Sequence, residues 1–108
     1  MATAREKMAQ IAEKVASHQD RVRDLGAVYK FILEGEGGGT WVLTFTDPPS
    51  VVEGEGDAQC VIKMDAQDCV DMLEGRTPGQ QLFFTGKLRI EGDMGLAMKL
   101  QSLIDLLK

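Results

Sequence analysis

Residues 86–107 read as a short strand, a glycine corner and a long helix, and this run constrains the chain more than any other. Leu88 and Ile90 alternate with Lys87, Arg89 and Glu91, the period of a strand with one face buried. Asp93 stands where a side-chain oxygen caps the helix that follows. Leu96, Leu100, Leu103 and Leu107 recur at helical spacing, while Met94, Ala97, Met98, Ile104 and Leu106 widen the apolar face beyond a stripe. A helix that only packs on a sheet does not need so broad a face. No residue in the run has the character of a catalytic group, so the best-specified part of the chain describes an apolar surface.

Upstream, Thr3 and Glu6 fit a capping box that opens a helix striped by Met8, Ile11, Ala12 and Val15 and ending near Ser17-His18-Gln19. Gln19 to Asp24 is densely charged and reads as a surface connection. Tyr29, Phe31 and Leu33 alternate with Lys30 and Ile32 as a first strand, and Gly35 to Gly39 permits a tight reversal. Trp41, Leu43 and Phe45 alternate with Val42, Thr44 and Thr46 as a second, broken by Asp47-Pro48-Pro49. Val51 and Val52 make a short third strand ended by Gly54-Glu55-Gly56-Asp57, and Ala58, Cys60, Ile62 and Met64 share one face of a fourth. Asp65 caps a helix bearing Cys69, Val70 and Leu73, and Gly75 stops it. Pro78 suits the first turn of another short helix ending at Phe83-Phe84. Consecutive strands joined by tight turns favour an antiparallel meander. The expected fold is α+β, a five-stranded mainly antiparallel sheet with helices over one face, built as a single domain over residues 1–108. The opposite face, with Lys30, Thr44, Gln59, Lys63 and Arg89, is expected to meet water.

Charge and cysteine usage narrow the function classes. The formal net charge of −5 argues against a phosphate-backbone ligand, since nucleic-acid binders carry a basic footprint. It also limits membranes to transient contact. No run is long and apolar enough to cross a bilayer, and Met1 to Lys7 lacks the apolar stretch of a signal peptide. Cys60 and Cys69 form neither a disulfide framework nor a metal cluster and read as small buried hydrophobes, which indicates a reducing, cytoplasmic setting.

The residues that might carry chemistry fit plainer roles. His18, the only histidine, reads as a helix-end residue without a nucleophile beside it. Asp65, Asp68, Asp71 and Glu74 read as caps and solvent-facing charges and not as a metal site. Gly35 to Gly39 lacks the Lys-Ser/Thr ending of a phosphate loop. Neither cysteine has the basic neighbour of an activated thiol. No enzymatic activity and no cofactor are expected. Lys87, Arg89 and Lys99 are the basic groups beside this apolar run that could partner a carboxylate or phosphate, with Arg89 better read as a solvated charge.

The run from Gly86 to Gln101 resembles the ending of sterol carrier protein type 2 domains, whose usual form is G-K-L-K-I-x-G-x-M-G-L-A-M-K-L-Q. Phe83-Phe84, Thr40-Trp41-Val42 and Cys60-x-Ile62-x-Met64 fit the same family in order, and the likeness runs from about Ala27 onward. The resemblance implies helices over a five-stranded sheet with an apolar tunnel between them, a ligand among fatty acids, fatty acyl-coenzyme A, phospholipids and sterols, and often a lipid-metabolising enzyme as partner. Departures are Cys69 at a position often held by phenylalanine, the acidic balance, and an ending at Leu106-Leu107-Lys108 in place of a peroxisomal tripeptide, which again points to the cytoplasm.

On that basis the expected tunnel walls are Tyr29, Phe31, Trp41, Leu43, Ile62, Met64, Leu88 and Ile90 from the sheet, and Phe83, Phe84, Met98, Leu100, Leu103 and Ile104 from helices, with the last helix as lid. Six methionines would give an adaptable wall, although methionine and leucine at helical spacing are also ordinary core. The expected function is a lipid-binding or carrier module. An alternative is a protein-interaction module whose groove takes an amphipathic helix or apolar tail.

Overall fold

The computed structural model describes residues 3–23, 26–46 and 49–107, giving the backbone alone for residue 21 and residues 101–107. The elements are α1 (Ala4–Ser17), α2 (Gln19–Arg23), β1 (Ala27–Glu34), β2 (Gly39–Phe45), β3 (Ser50–Glu53), β4 (Cys60–Asp65), α3 (Ala66–Leu73), α4 (Gly79–Phe84), β5 (Arg89–Gly92) and α5 (Met94–Leu107). The strands form one five-stranded sheet in the order β3-β2-β1-β4-β5. Every neighbouring pair is antiparallel except β1 and β4, which run parallel.

That parallel pair corrects the meander. Parallel neighbours need a long connection between them, and here the whole β2–β3 hairpin serves as that connection. The chain then returns through residues 54–59, which lie over the face of the sheet opposite the helices: Glu55 pairs with Lys30 at 3.0 Å, and Gly56 sits against Val42. Gln59 closes the passage, accepting from the Val28 N–H through its side chain at 2.9 Å and donating its own N–H to the Val28 carbonyl at 3.0 Å. Gly54-Glu55-Gly56-Asp57 thus reads locally as a turn but belongs to a crossing. β1 takes the centre, paired along both edges, with one face fully buried and Val28, Lys30 and Ile32 half-buried on the other.

The inner face follows from the register. Trp41, Phe31, Ile62 and Ile90 stand in one row across β2, β1, β4 and β5, with Leu43, Tyr29 and Cys60 in an adjacent row. Helices α1, α3 and α5 cover this face. Thr3 caps α1 by accepting from the Glu6 N–H at 3.2 Å, and Asp65 caps α3 by accepting from the Gln67 N–H at 2.9 Å. Pro78 occupies the cap position of α4, one residue before its first turn. Gly35 and Gly37 take φ of 85° and 77° in the β1–β2 reversal, a region closed to most side chains. Contrary to the expected surface connection, residues 19–23 form α2, and Val22 is fully buried; Asp24 lies outside the described residues. A lone valine among charges is one helical turn's anchor.

Two consequences are measurable. Gly92 sits at φ 100°, and a Cβ there would collide with the Gln59 carbonyl oxygen. Gly92→Ala is expected to cost about 1–3 kcal/mol of stability in urea unfolding. At the far end of the helix layer, Arg76 reaches Asp71 and Glu74 at 2.6 Å each, and Lys7 of α1 reaches Glu74 at 3.2 Å. The hydrogen bond from Arg76 chiefly holds the Asp71 carboxyl below its usual range, and that from Lys7 chiefly does so for Glu74. Carboxylates with depressed values stabilise the fold above their ordinary range and lose that contribution as pH falls through it. The urea midpoint is expected to drop as pH falls below 4.5, the ordinary glutamate value, and Arg76→Ala to lessen that drop.

Candidate functional site

The apolar wall is laid down by strand alternation. Tyr29, Phe31, Trp41, Leu43, Ile62 and Met64 are all buried on the inner face, and Leu88, immediately before β5, is buried with them. Ile90 is half-buried against the same core. Among the described residues no buried side chain is charged, and Tyr29 is the only buried one that brings an oxygen. Tyr29, Leu43 and Met64 have essentially no accessible surface, so the wall is closed along them.

Helix α5 is placed by its first turn. Asp93 Oδ1 accepts from the Gly95 N–H at 2.8 Å and the Leu96 N–H at 3.3 Å, the expected cap. The Asp93 N–H donates to the Gln59 carbonyl at 3.1 Å, tying the corner to β4. From the middle of the sheet the Tyr29 hydroxyl donates to the Leu96 carbonyl at 2.6 Å. Leu100 is buried, and Leu96 and Ala97 are partly buried against the core. Met98 lies on the other side of the helix, 76% exposed, and Met94, one turn earlier, is 47% exposed. Met94 and Met98 thus put apolar surface on the solvent side of this helix.

The wall expected from the helices is placed unevenly. Leu100 faces inward, whereas Met98 does not, because two residues along a helix turn a side chain about 200° away. Phe84 is 75% exposed and Phe83 38% exposed at the end of α4, their rings in edge contact at 5.9 Å, while Leu82 carries the burial of that helix. The side chains of Leu103, Ile104, Leu106 and Leu107 lie outside the described residues. Lys87 and Lys99 are exposed, and Arg89 pairs with Glu34. His18 ends α1, its Nδ1–H donating to the Lys14 carbonyl at 2.9 Å. A surface depression of about 300 Å³ lies at that corner, lined by Ala16 to Asp20, away from the apolar wall. No group of His, Cys, Asp and Glu among the described residues is arranged to hold a metal ion.

Sequence reasoning did not foresee the Tyr29–Leu96 bond, because helical and strand periodicity carry no information about one hydroxyl. Phe45, by contrast, shares the alternation of Trp41 and Leu43, and its buried ring meets Tyr29 at 5.5 Å. Cys60 and Cys69 are buried free thiols. Burial pushes Cys69 up to about 12 and raises Cys60, with Asp93 adding to the latter. Burial, then Cys60 and Asp93, push the Tyr29 phenol up to about 12. These groups stay neutral in the fold where an unfolded chain would ionise. Stability is therefore expected to fall as pH rises above 9.0, the ordinary thiol value, and on towards about 12. Thermal unfolding across that range checks it.

The SCP-2 sterol transfer family model matches residues 8–105. Hydroxysteroid dehydrogenase-like protein 2 of Xenopus laevis is 37% identical over 90 residues, 81% of this chain and 22% of that protein. The chain thus spans less than a quarter of the length of the curated relatives it matches. The solution structure of sterol carrier protein domain 2 of Helicoverpa armigera superimposes with a TM-score of 0.79 at 28% identity, covering 97% of this chain and 88% of that one. Sterol carrier protein-2 of Aedes aegypti, solved in complex with the C16 fatty acid palmitate, superimposes with a TM-score of 0.78 at 24% identity over 100% of both chains. With the match running from Met8 to Asp105 through sheet and final helix alike, the chain belongs to the SCP-2 sterol transfer family.

Proposed function

We propose that this chain binds and carries amphiphiles with a long hydrocarbon tail, fatty acids and fatty acyl-coenzyme A foremost and sterol-like molecules besides, between α5 and the inner face of the sheet, without catalysing a reaction on them. The observation that carries this reading is the composition of that seam. Among the described residues it holds no buried charge and one buried hydroxyl, so it offers a tail apolar contact along its length. Each methylene removed from water contributes about 0.8 kcal/mol. Walls of this kind discriminate a single methylene by only about 1–3 kcal/mol, so a range of tails fits. The palmitate held by the Aedes aegypti protein of the same fold supports an acyl chain as ligand.

The exposed width of α5 belongs to the same reading. While α5 lifts to admit a tail, Met94 and Met98 supply flexible apolar surface beside the opening, until the helix settles back onto the sheet over the tail. Lys87 and Lys99, exposed near that helix, are the partners for a carboxylate or phosphate head group left at the surface. Membrane contact is brief, for loading and unloading, and a lipid-metabolising enzyme consumes or supplies the cargo. No helix among the described residues is long and apolar enough to cross a membrane. The reading places the carrier in the cytoplasm, where Cys60 and Cys69 persist as thiols.

Titration with cis-parinaric acid tests the proposal. Saturable fluorescence, displaced by palmitate and by palmitoyl-coenzyme A, is expected. Failure of every probe to bind, sterols included, would overturn it. In the same samples, mild peroxide is expected to oxidise Met94 and Met98 well before buried Met8 and Met64.

A further inference from the structure

We propose that the Tyr29 hydroxyl is a latch on α5, a positioning group that sets how often the helix parts from the sheet and hence how fast an amphiphile is taken up and released. The proposal rests on the carrier reading above and adds to it the residue that governs exchange.

Among the described residues, polar bonds connect α5 to the remainder of the molecule only within its first turn. At the corner the Asp93 N–H reaches the Gln59 carbonyl. Gly92, packed against the same carbonyl, leaves that corner little room to move. The corner therefore acts as a fixed end. The second bond comes from elsewhere: Tyr29 stands on β1, the strand held between β2 and β4 at the centre of the sheet, and reaches the Leu96 carbonyl at 2.6 Å. Beyond Leu96 the described hold is apolar, through Leu100 and the partly buried Leu96 and Ala97.

These two kinds of hold respond differently to an incoming tail. A hydrocarbon can replace the apolar contacts that α5 gives up, because such contacts are non-directional. It cannot accept a hydrogen bond. Tyr29 is buried, so when α5 lifts its O–H loses its acceptor in a place without water, and an unsatisfied buried donor is costly. With α5 closed over the seam, empty or filled, the bond is made, so the hydroxyl opposes opening from either state. Its removal should speed uptake and release together and leave the affinity nearly untouched, a signature that loss of an ordinary wall contact does not produce.

The experiment is stopped-flow transfer of cis-parinaric acid to and from the full chain, with phosphatidylcholine vesicles in excess as acceptor for release. Tyr29→Phe keeps the ring and removes the oxygen. Its association and dissociation rates are both expected to rise about fivefold, the weight of one net hydrogen bond, with Kd unchanged within twofold. Tyr29→Met, which also lacks the hydroxyl, must raise both rates likewise. Val70→Ala in α3 lowers core stability without touching the latch and should leave both rates as they are. Hydrogen exchange of the α5 amides following Leu96 should quicken by the same factor in Tyr29→Phe, measured without any lipid. Rates unchanged by Tyr29→Phe, or faster release with weakened Kd, would overturn the latch. If the unmodified protein binds no probe, the carrier reading falls, and unchanged α5 hydrogen exchange in Tyr29→Phe would then remove the latch as well.

Discussion

Burial of one face of β1 is the constraint on which the other elements depend. Ala27, Tyr29, Phe31 and Leu33 all point to the helix side and are all buried, and the strand is paired along both edges. Burying a large apolar side chain contributes about 1.5–3 kcal/mol. No exposed ion pair on this molecule competes with that, since such pairs give about 0–1 kcal/mol. The position of β1 decides where β4 can pair, and β4 with β5 decides where α5 begins. The seam beneath α5 is therefore a by-product of a sheet that needs a cover on one side only.

The charges are arranged around this plan. Lys30 with Glu55, Lys63 with Glu91 and Arg89 with Glu34 lie on or beside the face turned away from the helices. Arg5 with Glu53 fastens α1 to the edge strand β3. None of these pairs reaches the inner layer, and the cluster of Arg76, Asp71, Glu74 and Lys7 lies at the outer end of the helix layer. An interior kept free of ions can rearrange around a guest without stranding a charge, and among the described residues the Tyr29 hydroxyl is the one buried side-chain oxygen within it.

The elements were legible in the sequence because period-two alternation and capping chemistry are local. Tyr29-Phe31-Leu33, Trp41-Leu43-Phe45 and the Asp65 and Asp93 caps stand where their neighbours in the chain place them. The strand order was not legible in the same way. Whether β3 leads to a hairpin partner or to a crossing depends on which strand is paired along both edges, and that is settled by the whole sheet. Val22 escaped notice because one valine gives no period. The inner wall drawn from the strands followed from alternation. The helical part was less certain to read, because a face that is apolar nearly all round does not say which side meets the sheet. Met98 and Leu100 illustrate it: similar in hydrophobicity, two residues apart, one outside and one buried.

The parallel pairing of β1 with β4 also bears on how the chain folds. β1 and β2 join across a short glycine reversal and can zip early, whereas the second edge of β1 must wait for a strand some thirty residues further along. Until then that edge and its aromatic side chains stand unpaired, the condition that invites association between nascent molecules. On the ribosome the interval lasts until β4 has emerged, and the closing helix arrives last of all. This architecture leaves its own sticky surface uncovered longest, an exposure that follows from topology and not from any weakness of the finished core.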